Sequence, residues 1–247
     1  MNNFRIVSAQ IPIKTSDIQY NINSHLNAIH ETSRFKPSVI IFPELSLTGY
    51  IPEKAEKLSF TKDDQRLQPL VRASREYGII IVVGTPLRCD SGQLSLASLI
   101  FKPDSCVEHN SKIHLHGTEQ NYFQAGKQHK LILIHDETVA LGICADMSHS
   151  DHAEQCTKMR ATVYAGSVLI SKQGYDKDST TMASTAKKHN ILLTMANHST
   201  PNGSWTPAGQ SAAWDENGLL AQADSSEKAL LISERSSGIW KSYVVYF

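Results

Sequence analysis

The 247-residue sequence has no excess of either charge, since Lys plus Arg and Asp plus Glu each number 24. It therefore lacks the one-sided charge that attracts nucleic acid or an anionic membrane surface. It also lacks a long apolar run: the longest, residues 79–83, is far shorter than the ~20 residues that span a bilayer. We expect a small-molecule partner, with no nucleic acid and no membrane.

Cysteine is sparse, with four residues and no CxxC pair. This excludes a disulfide-rich secreted scaffold and, together with the absence of a recognisable signal peptide, predicts a cytoplasmic protein. The composition, 40% hydrophobic and 19% charged, is that of a folded globular chain. No low-complexity linker divides it, and we predict a single domain over residues 1–247.

Short runs rich in Ile and Val alternate with helical patterns, which predicts an α/β fold. The predicted strands are residues 4–11, 39–42, 79–83, 94–102, 131–135, 139–143, 168–171, 192–196, 210–214, 219–223, 229–233 and 243–246. Helices are predicted at 23–35, 67–77, 151–160 and 180–190, with Gly78 ending the second. Asn217-Gly218 predicts a hairpin turn that adds antiparallel strands to the second half.

Three chemically reactive side chains follow predicted strands, which is where open α/β sheets usually bind ligands. They are Glu44, Lys112 and Cys144. Alone, each has a simple structural explanation, because most cysteines are inert core residues and most charges are solvated. Cys144, however, lies between a strand and a predicted helix, whose N-terminus favours a thiolate.

The same segments resemble the carbon–nitrogen hydrolase family, also called the nitrilase superfamily. Residues 43–50 (PELSLTGY) resemble its glutamate segment, and residues 112–115 (KIHL) with Glu119, Tyr122 and Gly126 its lysine segment. Residues 142–146 (GICAD) resemble its nucleophile segment, and Asn197, Gly209 and Ser211 match later positions. The ordered set of motifs, from Arg5 to about Ser233, is far more specific than any one motif.

This resemblance implies a four-layer α-β-β-α sandwich of two mixed sheets, a homodimer or larger homo-oligomer, and a hydrolase acting on non-peptide C–N bonds. Cys144 would be the nucleophile, Glu44 the general base, and Lys112 with the backbone N–H of Ala145 the oxyanion donors. Glu119 would orient Lys112. Tyr122, and Lys172 in the loop at 171–178, are further candidates for substrate binding. No cofactor is predicted.

Some residues depart from the family pattern. His149, Ser150 and Asp151 replace the usual aromatic-Pro-Glu, and Arg160 stands where a glycine is common. Nitrile-cleaving members tend to carry a glutamate two residues after the cysteine and a long C-terminal extension. This chain has Asp146 there and ends soon after its last predicted strand, so an amide or carbamoyl amine is the expected substrate.

Other readings of the sequence stay open. Eleven histidines raise the possibility of a metal hydrolase, but the pairs His114-x-His116 and His149-x-x-His152 have no matching ligand set, and we predict no metal site. A Cys–His peptidase needs a histidine close only in space. The altered 148–151 loop also allows a non-catalytic binding protein, and a nitrile remains an alternative substrate.

Overall fold

The computed structural model describes residues 4–247 and contains two mixed β-sheets. The first sheet has seven strands. Parallel strands β1 (Arg5–Gln10), β2 (Val39–Ile41) and β3 (Ile80–Arg88) form its centre. Antiparallel strands β4 (Leu94–Phe101) and β5 (Val107–Ser111) follow β3, and β12 (Ala229–Ser236) and β13 (Ile239–Tyr246) lie beyond β1.

The second sheet has six strands, again with a parallel centre. β7 (Glu137–Ile143), β8 (Val163–Ser167) and β9 (Leu192–Ala196) are parallel. β6 (Lys130–Ile134) pairs antiparallel with β7. β10 (Ala212–Asp215) and β11 (Gly218–Gln222) extend the sheet beyond β9, and Asp215 pairs with Gly218 at the predicted hairpin.

Helices cover the outer face of each sheet. The α-helices are α1 (Ile18–Ser33), α2 (Ala55–Leu58), α3 (Gln68–Tyr77), α4 (Ala145–Ser148), α5 (Ser150–Lys158) and α6 (Tyr175–His189). Short 3₁₀ turns occupy Pro52–Lys54, Gln65–Leu67 and Gly117–Asn121. α1 and α3 pack on the first sheet, and α4, α5 and α6 on the second. The predicted four-layer sandwich is confirmed.

Strands buried on both faces explain the continuous apolar runs in the sequence. In β2, Ile40 packs toward the helices outside the first sheet, whereas Ile41 packs into the core between the two sheets. Ile132, Leu141 and Val163 contribute to that core from the second sheet. The two sheets thus share one apolar layer, and the helices close it off on either side.

One predicted strand is wrong. The strand expected at 168–171 lies earlier, at Val163–Ser167, and residues 168–170 form a buried connection after it. In this connection the Asn197 side chain takes the place of a neighbouring strand at Ile170. Ile170 N donates to Asn197 Oδ1 at 2.9 Å, and Asn197 Nδ2 donates to Ile170 O at 3.1 Å. Val168 N still donates to Ala196 O of β9 at 2.9 Å, but the segment does not continue as a strand, so its burial alone made it look like one.

Strand β5, with the polar sequence VEHNS, was not predicted. Two helices begin earlier than predicted. α1 begins at Ile18 because the Asp17 side chain accepts a hydrogen bond from Tyr20 N at 3.0 Å. α6 begins at Tyr175, five residues before the expected start. Among residues 4–247, no helix combines the length and apolar character needed to cross a membrane.

Candidate active site

Three loops bring Glu44, Lys112 and Cys144 together at one end of the two sheets. Glu44 follows β2, Lys112 follows β5, and Cys144 follows β7. The first two belong to the first sheet and the third to the second sheet. The site therefore lies where the sheets face each other, and neither sheet alone could form it.

The Glu44 loop is fixed by close backbone packing on β3. A Cβ atom on Gly84 would lie 2.3 Å from Leu45 N and 2.6 Å from Pro43 O, so only glycine fits. Gly84 N donates to Ser46 Oγ at 3.2 Å. From the second sheet, His198 Nε2 contacts Glu44 O at 2.7 Å, while its Nδ1 accepts from Asn202 Nδ2 at 3.0 Å. The base loop is thus held from both sheets.

Lys112 is an ammonium group without solvent exposure, lying between two carboxylates. Its Nζ donates to Glu44 Oε1 at 2.7 Å and to Glu119 Oε1 at 2.9 Å. Both carboxylates are only 1% exposed. Because an ammonium has three donors, these two bonds leave one for a substrate oxygen.

Glu119 occupies the 3₁₀ turn that follows Lys112 and is tied down at both oxygens. Its Oε2 accepts from His116 N at 2.7 Å, and its Oε1 accepts from the Tyr50 hydroxyl at 2.7 Å as well as from Lys112. A carboxylate that accepts hydrogen bonds from three groups, one of them in its own turn, has little freedom to move. Glu119 is therefore arranged to position Lys112.

Cys144 stands on a strained turn between β7 and α4, with φ 46° and ψ −100°. Such backbone strain in a residue with a side chain is a feature of functional turns. The turn leaves the thiol half-buried, with Sγ 3.7 Å from Leu169 O. Ala145 begins α4, so its backbone N–H has no acceptor within the helix and is free to meet a substrate oxygen.

Burial sets the proton affinities of this group. It raises the pKa of Glu44 to about 7, an effect that the Lys112 charge opposes and the Glu119 charge reinforces. Burial and the Glu44 charge raise the pKa of the Cys144 thiol, against the influence of Lys112. Burial would lower the pKa of Lys112, but the charges of Glu44, Cys144 and Glu119 outweigh it and hold that pKa high. Burial therefore favours the neutral thiol, beside a carboxyl whose pKa lies near neutrality.

Glu44 Oε2 accepts no hydrogen bond from any residue of 4–247, although it is buried. A buried oxygen of this kind costs free energy and is rare away from functional sites. The Cys144 thiol is near enough to lower the pKa of the Glu44 carboxyl slightly against the effect of burial. This oxygen is therefore the one available to take a proton from the thiol or from water.

A cavity of about 420 Å³ opens onto Cys144. Leu169, Ile170 and Trp205 supply apolar surface, and Lys177 and Asp178 on the first turn of α6 supply opposite charges at its edge. Burial raises the pKa of Asp178, and the Lys177 charge opposes this shift. The cavity can therefore hold a small molecule that has both an apolar part and a polar or charged end.

Two predicted substrate-binding side chains lie outside this cavity. Tyr122 is 40% exposed and lines a neighbouring surface cavity, and Lys172 is exposed and absent from the lining. Two lining residues, Tyr50 and Trp205, were not predicted to contact substrate, although Tyr50 belongs to the glutamate segment. The 171–178 loop, chosen from the sequence, contributes Ser171, Gly174, Lys177 and Asp178.

The later motif residues Asn197, Gly209 and Ser211 hold one wall of the cavity in place. The Asn197 side chain bonds both Ile170 backbone groups and donates to Gly209 O at 2.8 Å, and its own N–H donates to Ser211 Oγ at 2.9 Å. These contacts hold the connection at 168–170 that forms one cavity wall. Their role is structural, since none reaches Cys144.

The altered loop after Cys144 forms a stack of histidines. His149 stacks on His114 with ring centroids 3.9 Å apart, and Asp151 Oδ2 lies 3.4 Å from His114 Nε2. Asp146 Oδ1 accepts from Ile113 N and His114 N, and its Oδ2 accepts from Ile143 N. Asp146 thereby ties the nucleophile loop to the lysine loop.

Two groups of potential metal ligands occur in the described residues, although the sequence predicts no metal site. One is His129, His152 and Cys156, and the other is His114, His149 and Asp151. In each, the candidate ligand atoms lie within 4.8 Å of one another. Cys144, Glu44 and Lys112 belong to neither group, so the site geometry around the thiol does not depend on them.

Solved structures share this fold at low sequence identity. The amidase NitN from Nesterenkonia sp. AN1 superposes with a TM-score of 0.85 at 20% identity, over 95% of this chain and 93% of that chain. A cysteine variant of that amidase in complex with butyramide gives 0.85, again at 20% identity, over 95% and 92%. These likenesses establish the four-layer fold.

The chain belongs to the carbon–nitrogen hydrolase family, whose family model matches residues 5–243. Two curated relatives are glutamine-dependent NAD(+) synthetases. The Aquifex aeolicus protein is 29% identical over 171 residues, which are 66% of this chain and 28% of that protein. The Thermotoga maritima protein is 26% identical over 153 residues, which are 60% of this chain and 26% of that protein. The chain thus spans less than a third of these relatives.

Proposed function

We propose that this protein hydrolyses a non-peptide C–N bond of a small amide or carbamoyl amine through an acyl-enzyme on Cys144. The main observation in support is that the Lys112 ammonium is fully buried between Glu44 and Glu119, beside that thiol. Burying three charges is costly unless their geometry serves a purpose. An arrangement of nucleophile, base and fixed cation is what acyl transfer requires.

In the acylation step, Glu44 takes the thiol proton as Sγ attacks the carbonyl carbon. The developing oxyanion accepts hydrogen bonds from the free Lys112 N–H and from Ala145 N–H. Glu44 then gives its proton to the departing nitrogen, the C–N bond breaks, and ammonia or an amine leaves. A thioester between the substrate acyl group and Cys144 remains.

In the deacylation step, Glu44 acts again as a base. It takes a proton from water, the resulting hydroxide attacks the thioester carbonyl, and the same two donors stabilise the second oxyanion. Collapse breaks the C–S bond, releases the carboxylic acid and returns the proton to sulfur. A base with a pKa of about 7 can both accept and return a proton near neutral pH.

The cavity favours a small amide with a polar or charged end. Lys177 and Asp178 present a cation and an anion at its edge, which suits a zwitterionic amino-acid end group. The curated relatives are named as glutamine-dependent, so glutamine, with a primary amide and a zwitterionic end, is the first substrate to test. Asp146, in place of the glutamate typical of nitrile-cleaving members, favours an amide over a nitrile.

Ammonia release and a trapped intermediate test the proposal together. The wild-type protein is incubated with glutamine, a short aliphatic amide, a carbamoyl amine and a nitrile matched to the amide, and intact mass is measured during turnover. We expect ammonia release from at least one amide or carbamoyl amine and an acyl adduct that maps to Cys144. Cys144→Ala should remove both, while the matched control Cys106→Ala, at an exposed thiol, should keep both.

Two results would contradict the proposal. Turnover that survives Cys144→Ala would exclude the assigned nucleophile, and binding of amides without any product would indicate a binding protein instead. A preference for the nitrile in kcat/KM would overturn only the substrate class, because the same residues could form a thioimidate.

A further inference from the structure

A buried Cys–His–His cluster lies behind the nucleophile loop and takes no part in the proposed reaction. His152 and Cys156 are 1% exposed and stand four residues apart on α5, so they point to the same side of that helix. His129 approaches from the segment just before β6, with its ring centroid 4.5 Å from that of His152. Three ligand-type side chains thus converge from two separate elements.

The distances fit a transition-metal site. Cys156 Sγ lies 3.7 Å from His152 Nδ1 and 3.8 Å from His129 Nδ1. Tetrahedral zinc, with bonds of roughly 2.0–2.1 Å to nitrogen and roughly 2.3 Å to sulfur, places such atoms roughly 3.5 Å apart. The two sulfur–nitrogen distances are therefore within a few tenths of an ångström of those in a zinc site, and all three ligand atoms lie within 4.8 Å of one another.

The surroundings supply the outer contacts that such a site needs. On the far side of the His152 ring, Nε2 lies 3.8 Å from Asp146 Oδ2, so a small movement would let the ring donate a hydrogen bond to a carboxylate, as metal-bound histidines commonly do. The Tyr164 hydroxyl contacts His152 Nδ1 at 2.8 Å and can donate to Asp146 O at 3.1 Å when a metal takes that nitrogen.

An ion also has a route to the cluster. His129 is half-buried and lines a surface cavity of about 460 Å³ that is separate from the one at Cys144. The ion would reach His129 first and then the buried pair. Three protein ligands leave a fourth position for water from this side.

We propose that His129, His152 and Cys156 bind one divalent transition-metal ion of the zinc type, through two imidazole nitrogens and one thiolate. The thiol proton is released to solvent on binding, and no electron transfer is involved. The group of His114, His149 and Asp151 is the alternative location for a metal ion. It is more exposed to solvent and contains no sulfur ligand. Sulfur ligation therefore distinguishes the two groups.

Cobalt(II) absorption spectroscopy tests the proposal without measuring activity. The full-length Cys144→Ala variant, which removes the thiol at the proposed active site, is titrated with Co²⁺ and then with Zn²⁺. We expect a thiolate-to-cobalt charge-transfer band that saturates at one ion per chain and disappears when Zn²⁺ displaces the cobalt. Loss of an outer-shell partner costs about 10- to 100-fold in metal affinity, so loss of a ligand should cost at least ~100-fold.

Further substitutions in that background assign the ligands. Cys156→Ser should abolish the band, and His129→Ala should weaken binding by at least ~100-fold. Cys106→Ser and His149→Ala should leave band and affinity unchanged, and circular dichroism checks that each variant is folded. The proposal is overturned if no charge-transfer band forms, if the band survives Cys156→Ser, or if His149→Ala abolishes binding while His129→Ala does not.

Discussion

At the scale of single residues, Lys112 and the carboxyl groups of Glu44 and Glu119 form a hydrogen-bonded unit with almost no contact with water. Lys112 bonds both Glu44 and Glu119 through a single oxygen of each. Glu44 keeps its second oxygen unpaired among residues 4–247, whereas Glu119 uses its second oxygen to hold His116 N. The two glutamates therefore have different tasks despite similar burial.

Exchanging each glutamate for glutamine should separate these tasks. Glu44→Gln removes the only proposed base and should lower kcat by about 10²–10⁴-fold in both acylation and deacylation. Glu119→Gln keeps an acceptor for Lys112 and should lower kcat less, on the order of 10-fold, because Lys112 would be slightly misplaced. Rapid-mixing measurements of ammonia burst and steady state check this. Near wild-type turnover in Glu44→Gln would exclude the assigned base.

The raised pKa of Glu44 predicts a pH dependence. Glu44 must be ionised to accept a proton, so kcat/KM should rise with pH up to about 7 and fall roughly tenfold for each unit below it. The apparent value belongs to the coupled Glu44–Lys112–Cys144 group. A pH–rate profile of the wild-type protein measures it, and a flat profile between pH 5 and 7 would contradict the prediction.

At the scale of elements, the turn between α5 and β8 explains one departure from the family pattern. Arg160 has φ 67°, the left-handed conformation that a glycine adopts without strain. The chain tolerates arginine there because the residue is exposed and its N–H still bonds Thr157 O at 2.9 Å. The missing glycine thus leaves the turn intact at a cost in stability.

Arg160→Gly should therefore stabilise the protein. Relief of about 1–2 kcal/mol of strain, less about 0.5–1 kcal/mol for the freer unfolded chain, gives a net gain of about 0.5–1 kcal/mol. Asn190→Gly is the matched control, because Asn190 ends α6 with φ 51° and asparagine accepts this conformation more readily. Thermal unfolding checks both; a larger rise in Tm for the control would refute the explanation.

Elements also show what the sequence could predict. Eleven of the twelve predicted strands coincide with observed ones, because strands buried on both faces leave continuous apolar runs. The strand predicted at 168–171 failed, since those residues are equally buried but pair with Asn197. β5 was missed because a polar strand has no such run. The motifs located Glu44, Lys112 and Cys144 and included Tyr50 without indicating its contact with Glu119, whereas no local pattern marks Trp205.

At the scale of the whole molecule, the two sheets meet through apolar packing and a small number of polar contacts. Several of these polar contacts are buried, and in one of them Ser8 Oγ of the first sheet lies 2.8 Å from Thr194 Oγ1 of the second. Thr194 Oγ1 can also donate to Ala212 O at 3.4 Å. Assembly into a homodimer stays a prediction, which sedimentation velocity can check.

The buried pair predicts a non-additive effect on stability. Thr194→Val leaves Ser8 Oγ without its partner and should lower the free energy of unfolding by about 1–3 kcal/mol. Ser8→Ala should cost less, because Thr194 keeps Ala212 O. The double variant should recover part of the Thr194→Val loss, since no polar group is then left unpaired. Urea unfolding of the four proteins measures this, and strict additivity would argue against the contact.

The contact between His198 and the Glu44 carbonyl spans 154 residues of sequence. A ribosome makes Glu44, Lys112 and Cys144 long before it makes His198, so the nascent chain holds every reacting group while its base loop still lacks this restraint. Correct placement of the base therefore waits until the second sheet has closed over the first. A chain interrupted before that moment would carry Glu44, Lys112 and Cys144 without this restraint on their alignment.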